Sequence, residues 1–318
     1  MLSVIVPAFN EGENINAAVK ALTGLLNEKG IAFEVVFADD GSADRTWEFI
    51  EKAAAADSRI RGIKFSRNFG KEGAIFAGLS RVKGDCAVVI DCDLQHPPEL
   101  IPEMYALWEQ GAEVVEARKA NRGRESLIYK AFAKAFYGIM KSSSDLNLDG
   151  ASDFKLLDRK VIDALNALPE RLTFFRALSA WVGFKTVQVE FEVKPRAFGK
   201  TKWSFKKLFK FAVSSVTGFT NLPMQLMTAA GLIFLAFAAA LGVQTLVNFF
   251  SGHAAEGFST VVLLLLLIGS LLMLGLGIIG YYLSKIYEEI KFRPRYIIER
   301  ETPTADRSSN PGGEGNDD

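Results

Sequence analysis

Two aspartates placed two residues apart, Asp91 and Asp93, are the side chains of this sequence best suited to bind a metal ion. They follow an apolar run at residues 86–90, between Gly84 and Pro97, which is typical of a buried strand in a parallel sheet. Alternate residues of an extended chain point to the same side, and ligands of open α/β sheets bind at the carboxyl ends of the strands. A divalent cation that also holds a diphosphate therefore fits the pair. Two solvated surface acids would show the same pattern, so the decision rests on other residues.

The overall composition narrows the class of protein. The chain has 318 residues, 49% of them hydrophobic, and a formal net charge of zero, which argues against a nucleic-acid-binding protein. Its apolar residues concentrate in the last third, whereas charged residues dominate the first two thirds. The two cysteines, Cys86 and Cys92, fall on one predicted strand, which cannot bring its own residues to disulfide distance. Both are therefore expected to be reduced, in a cytosolic domain.

Strand-like and helix-like segments alternate through the first part of the chain. The sequence predicts strands near residues 2–6, 33–38, 60–65, 86–90 and 113–117, with helices between them. This order indicates an α/β fold with a mostly parallel, doubly wound sheet. Acids follow three of these strands: Glu11, then Asp39 and Asp40, then Asp91 and Asp93. Since the carboxyl ends of parallel strands share one edge, we expect the acids to cluster there, which favours a metal-held nucleotide diphosphate. Neither a G-x-G-x-x-G after the first strand nor a P-loop motif is present.

The last third contains two uncharged segments, 224–250 and 260–284, each long enough to span a bilayer. A basic stretch with aromatic residues at 196–221 precedes them and is typical of a helix lying on a membrane surface. Basic residues flank the pair of spans, whereas the loop between them carries one charge, so both chain ends are predicted to be cytoplasmic. The predicted parts are a catalytic domain at 1–195, an interfacial segment at 196–221, two spans within 222–285 and a partly disordered tail at 286–318.

A diphosphate site, a basic strip and a membrane anchor together suggest a reaction. Transfer of a sugar from a nucleotide-sugar to a lipid phosphate needs all three. The metal neutralises the departing diphosphate, arginines grip the acceptor phosphate, and the apolar helices hold the lipid chain.

Five motifs support this interpretation, and the resemblance that they carry extends from Val4 to about Arg295. They are VPAFNE at 6–11, DDGS at 39–42, NFGK at 68–71, DCDLQHPPE at 91–99 and R-x-x-G-x-T-K at 196–202. With them the chain resembles the inverting family 2 glycosyltransferases of GT-A fold. Among these it is most similar to the polyprenyl-phosphate glycosyltransferases, which include bactoprenol glucosyltransferases and dolichol-phosphate mannose synthases. Thr201 stands where the family has serine and keeps the hydroxyl.

The resemblance implies a role for each matching residue. It assigns nucleotide-sugar contacts to Pro7, Ala8, Asn10, Glu11, Asp39, Asp40, Lys71 and Asp91, metal contacts to Asp91, Asp93 and Gln95, and acceptor-phosphate contacts to Arg118, Arg124, Arg196 and Lys202. Asp153 matches an acid near the reacting centre, either a base or an orienting residue. Because a phosphate monoester has a second pKa of about 6, the acceptor needs positioning more than deprotonation. Both roles for Asp153 stay open.

The reaction that the resemblance implies is inverting transfer of a hexose from UDP-glucose to undecaprenyl phosphate, with Mg²⁺ or Mn²⁺, at the bacterial inner membrane. GDP-mannose, UDP-N-acetylglucosamine and a UDP-aminoarabinose derivative are alternative donors, because all of them share the diphosphate. A homo-oligomer, specifically a tetramer, is also implied. A processive polysaccharide synthase is disfavoured because its Q-x-x-R-W motif is missing. A non-catalytic, membrane-anchored nucleotide-sugar-binding protein is the alternative from another class, and the intact Asp91, Asp93 and Asp153 argue against it.

Overall fold

The structure is a computed structural model that describes residues 1–119, 151–170, 174–191, 217, 222–251 and 257–303. The chain divides into two compact units. The first unit is drawn from Met1–Ser126, Leu148–Lys202 and Pro294–Asp318, and the second from Leu127–Asn147 and Trp203–Arg293.

The first unit is built on one sheet with helices packed against it. Its described strands are β1 Leu2–Ala8, β2 Phe33–Asp39, β3 Ile60–Phe65, β4 Cys86–Val89, β5 Val114–Lys119, β6 Lys155–Asp158, β7 Thr186–Phe191 and β8 Ile298–Glu301. Its described helices are α1 Gly12–Glu28, α2 Thr46–Ala56, α3 Lys71–Leu79, α4 Ile101–Glu109, α5 Arg159–Ala167 and α6 Phe175–Trp181, with a 3₁₀ turn at Pro98–Leu100.

The strand order is β7-β5-β6-β4-β1-β2-β3-β8. Strands β4, β1, β2 and β3 are parallel neighbours and β5 pairs in parallel with β7, whereas β6 and β8 pair antiparallel to their neighbours. The prediction of a mostly parallel α/β sheet is therefore confirmed. Strand β7 lies at one end of the sheet and has exposed residues along its length.

Burial explains why these segments adopt these structures. All seven residues of β1 and of β2 are buried, as expected for central strands covered on both faces. Helix α1 buries Ile15, Ala18, Leu22 and Leu26, whose three- and four-residue spacing forms one apolar stripe against the sheet. The core that results fixes the strands, and therefore the loops at their carboxyl ends.

The amino edge of the sheet holds a paired acid, Glu34. Its Oε1 accepts hydrogen bonds from Ser3 Oγ at 2.7 Å and from the Lys83 backbone N–H at 2.5 Å, and its Oε2 lies 2.6 Å from an Arg61 Nη. All of its neighbours belong to the amino ends of strands or to the turn before β4. Glu34 therefore stabilises the sheet at the edge opposite the strand ends that carry the predicted site.

We expect Glu34→Ala to destabilise the protein by about 3 kcal/mol, because it leaves the Arg61 charge without its buried partner. In a domain of this size that corresponds to a Tm lower by roughly 6–12 °C. Thermal unfolding of the full-length protein in detergent measures the shift. Lys160→Ala is the control. It removes a salt bridge in which Lys160 Nζ lies 2.8 Å from Glu113 Oε1, and the lysine side chain is solvent-exposed. Exposed salt bridges contribute little to the free energy of unfolding. An equal Tm loss in the two variants would contradict the role given to Glu34.

The chain returns to the first unit after the second apolar helix. Strand β8 pairs with β3, and Thr302 is buried, with its N–H donating to Gly62 O at 3.0 Å and its Oγ1 accepting from Gly62 N at 2.9 Å. The sequence predicts a cytoplasmic, partly disordered tail at residues 286–318. The structure instead assigns its part from Pro294 to the first unit. Residues 304–318 lie outside the described residues.

The second unit contains two long apolar helices, α7 at Leu222–Phe250 and α8 at Phe258–Ile290. Their segments Pro223–Asn248 and Leu267–Ile290 are long and apolar enough to cross a membrane, and none of either window is buried. Both helices coincide with the predicted spans, although α8 continues past residue 284. The predicted interfacial segment at 196–221 lies outside the described residues except for Thr217.

Candidate active site

The predicted acids follow three adjacent strands. Glu11 comes after β1, Asp39 and Asp40 lie at the end of β2, and Asp91 and Asp93 follow β4. Since β4, β1 and β2 are parallel neighbours, these residues lie along one edge of the sheet. Pro7 and Ala8, also predicted to contact the nucleotide, are the buried last residues of β1 at the same edge.

The turn after β1 is tied to the turn after β2. The Asn10 N–H donates to Ser42 Oγ at 2.9 Å, and Asn10 Oδ1 accepts from the Ala43 N–H at 3.0 Å. The Glu11 N–H donates to Thr46 Oγ1 at 2.9 Å. Asn10 adopts a positive φ of 52°, a conformation that costs free energy in a residue with a side chain and that these bonds maintain. These hydrogen bonds therefore hold the turn after β1 and the turn after β2 together.

Asp39 presents a buried acceptor. Its Oδ1 accepts from the Ser42 N–H at 3.0 Å and from Ser42 Oγ, whereas its Oδ2 is buried and has no hydrogen-bond partner in the described part of the chain. Burial raises the pKa of Asp39, and the bonds from Ser42 only partly offset this effect. A buried carboxylate oxygen with open lone pairs fits an N–H or O–H donor of a bound ligand, such as a base or a ribose.

Asp40 faces the protein instead. Its carboxylate accepts hydrogen bonds from Asn68 Nδ2 at 2.8 Å, from Phe69 N–H at 2.6 Å and from Gly70 N–H at 2.9 Å. Burial outweighs these bonds and raises the pKa of Asp40 to about 6. Gly41 allows the backbone of the loop after β3 to lie close to the backbone after β2, because a Cβ at Gly41 would lie 2.4 Å from the Arg67 carbonyl carbon. The neighbouring aspartates thus differ: Asp40 holds the loop after β3, whereas one carboxylate oxygen of Asp39 has no hydrogen-bond partner among the described residues.

Lys71 joins the predicted metal-binding acid to Asp153. Its Nζ lies 2.6 Å from Asp91 Oδ1 and 2.7 Å from Asp153 Oδ2. Arg176 contacts the same Asp153 carboxylate with Nε at 2.7 Å and an Nη at 3.0 Å. The side chain of Asp153 is only 5% exposed. Two acids and two cations therefore form one continuous network across the site.

The charges of this network fix its protonation. Burial disfavours the ionised carboxylate of Asp153, but Arg176 and Lys71 outweigh burial and hold its pKa well below the ordinary value. Burial likewise disfavours the Lys71 ammonium, yet Asp153 and Asp91 raise its pKa. The pKa of Asp91 is lowered because Lys71 and His96 overcome the effect of burial. Asp153 is therefore an ionised anchor for two cations and a weak base.

Arg176 and Glu72 were missed from the sequence. Arg176 lies on α6 in an apolar context, and no local pattern marks it as a partner of Asp153, which comes 23 residues earlier. Glu72 follows Lys71 at the start of α3, and its Oε2 accepts from the Phe175 N–H at 2.8 Å. Its position beside the NFGK motif is the signal that points to it. Together they attach α6 to the network.

Glu72 predicts a pH dependence of stability. Burial and then the nearby Asp153 charge raise the pKa of Glu72 from 4.5 to about 7. Between these two values the folded protein binds more protons than the unfolded chain, so the free energy of unfolding decreases as pH rises through this window. Glu72→Gln keeps the acceptor for Phe175 but cannot ionise. Its Tm relative to wild type is expected to increase from about pH 5 to about pH 8. Parallel Tm curves for the two proteins would contradict the assignment.

The turn after β4 offers oxygen ligands. Asp93 Oδ1 accepts from the Gln95 N–H at 3.1 Å, and Leu94 between them has a positive φ of 53°. Among the described residues no group of three or more His, Cys, Asp or Glu could hold a metal by itself. Mg²⁺ commonly binds one or two carboxylates together with substrate phosphates, and Mn²⁺ also suits oxygen ligands. Asp91, Asp93 and the Gln95 amide therefore fit a cation that a diphosphate helps to hold.

The predicted acceptor-phosphate residues are only partly described. Arg118, near the end of β5, donates through Nη1 to Gln188 Oε1 on β7 at 2.8 Å. Arg124, Arg196 and Lys202 lie outside the described residues.

Comparison with known proteins identifies the family. Residues 3–165 match the model described as glycosyl transferase family 2. This chain belongs to glycosyl transferase family 2. A prophage bactoprenol glucosyl transferase homolog of Escherichia coli is 35% identical over 301 residues, covering 94% of this chain and 98% of the relative. The bactoprenol glucosyl transferase of Shigella phage SfII is 33% identical and covers 94% of this chain and 97% of that protein.

A solved structure supports the fold of this family 2 member. Glucosyl-3-phosphoglycerate synthase from Mycobacterium tuberculosis, in complex with Mn²⁺, UDP and phosphoglyceric acid, has a TM-score of 0.51 and 19% identity. The similarity covers 68% of this chain and 76% of that structure. At this identity the comparison concerns the fold alone, and it agrees with the mostly parallel sheet described above.

Proposed function

We propose that this protein transfers glucose from UDP-glucose to undecaprenyl phosphate with inversion at the sugar carbon. The observation that carries the proposal is the combination, in one chain, of the acid-lined carboxyl edge with two helices apolar enough to span a membrane. The bactoprenol glucosyl transferases that match nearly the whole chain support the acceptor. The catalytic domain and both chain ends are then cytoplasmic, at the bacterial inner membrane.

The donor binds along the acid-lined edge. Asp39 Oδ2 accepts a hydrogen bond from the uracil base. Pro7, Ala8, Asn10 and Glu11, at the end of β1 and in the turn after it, contact the nucleoside. Asp91, Asp93 and Gln95 would hold Mg²⁺ or Mn²⁺. The cation would supply charge neutralisation for the diphosphate of the leaving group.

The acceptor phosphate is held by basic residues. Arg118, Arg124, Arg196 and Lys202 are assigned to it, because guanidinium groups bind phosphate oxygens bidentately. The polyprenyl chain lies in the bilayer with α7 and α8. A homotetramer is part of the same proposal, and native mass spectrometry in detergent tests it.

The transfer needs no proton abstraction. An oxygen of the acceptor phosphate attacks the anomeric carbon from the side opposite the diphosphate, the bond from that carbon to the diphosphate oxygen breaks, and UDP leaves with the bonding electrons. Since the phosphate monoester is already an anion near neutral pH, the ionised Asp153 serves by orienting Lys71 and Arg176. Between the two roles left open by the sequence, we propose the orienting one.

The experiment that tests the donor is a panel of nucleotide-sugars. Purified full-length protein is incubated with undecaprenyl phosphate, Mg²⁺ or Mn²⁺, and UDP-glucose, UDP-N-acetylglucosamine, a UDP-aminoarabinose derivative or GDP-mannose. We expect a lipid product of the mass of undecaprenyl phosphate plus hexose with UDP-glucose only. A product from another donor would replace the sugar in the proposal. Tight nucleotide-sugar binding without turnover would favour the non-catalytic alternative.

A further inference from the structure

Residues 295–302, here called the return segment, pack behind the loop that Asp40 holds. This loop, residues 66–70 between β3 and α3, is called the donor loop. The Ser66 N–H at its start donates to Ile297 O at 3.0 Å, and β8 within the return segment pairs with β3. The return segment therefore continues the sheet directly beside the base of the donor loop.

Tyr296 gives the return segment its main side-chain contact. Its ring stacks on Phe65 with centroids 5.1 Å apart and planes 8° apart, and Phe65 meets Phe69 of the donor loop edge-on at 5.8 Å. The Tyr296 hydroxyl lies 3.0 Å from Ser80 Oγ, immediately after α3. Two successive aromatic contacts thus connect the return segment, through Phe65 of β3, to the donor loop.

Arg295 adds a second contact with the same helix. Its guanidinium lies over the Phe76 ring at 4.9 Å and donates to Leu168 O. Phe76 lies in the middle of α3, whose first residue is Lys71. The return segment therefore contacts α3 at Phe76 and immediately after its end, while the start of α3 carries the ammonium that joins Asp91 to Asp153.

The donor loop is held from two sides, and the Arg67 guanidinium within it lies over the Phe69 ring at 4.0 Å. Ser66, Arg67 and Asn68 are exposed, and the loop is held from the site side by the bonds from Phe69 and Gly70 to Asp40. From the other side it is held by Phe65 and the return segment. Phe65 therefore connects Tyr296 to Phe69, whose N–H binds the Asp40 carboxylate together with the N–H of Gly70.

We infer that Tyr296 is a positioning residue for nucleotide-sugar binding, and that the return segment holds the donor half of the site from behind. This inference rests on the proposed function for the identity of the ligand. Its consequence is specific: a segment that follows the second apolar helix determines the affinity for the donor and leaves the affinity for the acceptor unchanged. Only Lys291, Phe292 and Arg293 separate the end of α8 from the first unit along the chain.

The test compares Tyr296→Leu and Tyr296→Phe in full-length protein. We expect Tyr296→Leu to raise the UDP Kd with Mn²⁺ and the UDP-glucose KM by about tenfold, as loss of an aromatic contact would, and to leave the acceptor KM unchanged. Tyr296→Phe keeps the stacked ring and is expected to stay within about twofold of wild type. Arg300→Ala on β8, whose side chain is exposed, is the matched control and should change neither constant.

Two further measurements separate positioning from general stability and from the proposed function. Ser3→Ala removes the hydrogen bond from Ser3 to Glu34 at the amino edge of the sheet. It is expected to lower Tm without changing the UDP Kd. Hydrogen exchange of the Phe69 and Gly70 amides needs no ligand and should be about tenfold faster in Tyr296→Leu. Faster exchange without any UDP binding by wild type would uphold the positioning and overturn the nucleotide assignment. Unchanged exchange and Kd, or an equal donor effect in Ser3→Ala, would overturn the inference and leave the proposed function standing.

Discussion

Asp93→Ala is expected to lower the rate of sugar transfer about a thousandfold, because removing one group that stabilises the leaving diphosphate costs about 4 kcal/mol of transition-state stabilisation. Asp93 lies in the turn after β4, where its carboxylate accepts the Gln95 N–H. It contributes little to the core, so the Tm should fall by a few degrees at most. The initial rate of lipid-linked sugar formation, with saturating Mg²⁺, measures the effect.

Cys92→Ala is the matched control for Asp93→Ala. Cys92 lies between the two aspartates but is buried and belongs to the apolar core. Its replacement removes a small buried side chain from the core and no carboxylate from the turn, so activity should stay within a few-fold of wild type. Activity of Asp93→Ala in that same range would remove the metal assignment from this turn.

Arg176→Met is expected to reduce kcat by about a hundredfold, comparable with the loss of one preorganised charge in an active site. The substitution leaves Asp153 with Lys71 as its remaining cationic contact in the described residues. The pKa of Asp153 then rises towards its ordinary value, so activity should be lost at a higher pH on the acid side than in wild type. A pH profile of kcat measures both changes.

Arg176→Lys separates charge from geometry. Lysine keeps the positive charge but cannot form the two parallel bonds that a guanidinium makes with a carboxylate. We therefore expect an intermediate kcat and a pH profile close to that of wild type. A profile that is unchanged in Arg176→Met would mean that Asp153 does not depend on this arginine.

Much of the first unit could be predicted because its signals are local. The apolar runs that form β1, β2 and β4 and the four-residue spacing in α1 require only the neighbouring sequence. The acids at three strand ends then follow from the parallel order of the strands. These steps use periodicity and topology, which short stretches of sequence carry.

The remaining features depend on contacts between distant residues. Strand β8 is a short segment in which three of four residues are charged, and it becomes a strand only because β3, more than 230 residues earlier, offers an open edge. The network of Lys71, Asp153 and Arg176 joins two helices and the loop before β6, and none of these segments marks the others in sequence. The different roles of Asp39 and Asp40 depend on the loop conformation that Gly41 permits.

The proposed transfer requires that UDP release and lipid labelling occur together. Wild-type protein in detergent is given radiolabelled UDP-glucose, undecaprenyl phosphate and Mg²⁺, and the released UDP and the label in the extracted lipid are quantified in the same sample. We predict equal molar amounts of released UDP and of lipid-bound label, and both should require undecaprenyl phosphate. Neither product should form above background in Asp93→Ala. Release of UDP without label in the lipid, or no release of UDP from UDP-glucose, would contradict the proposed transfer.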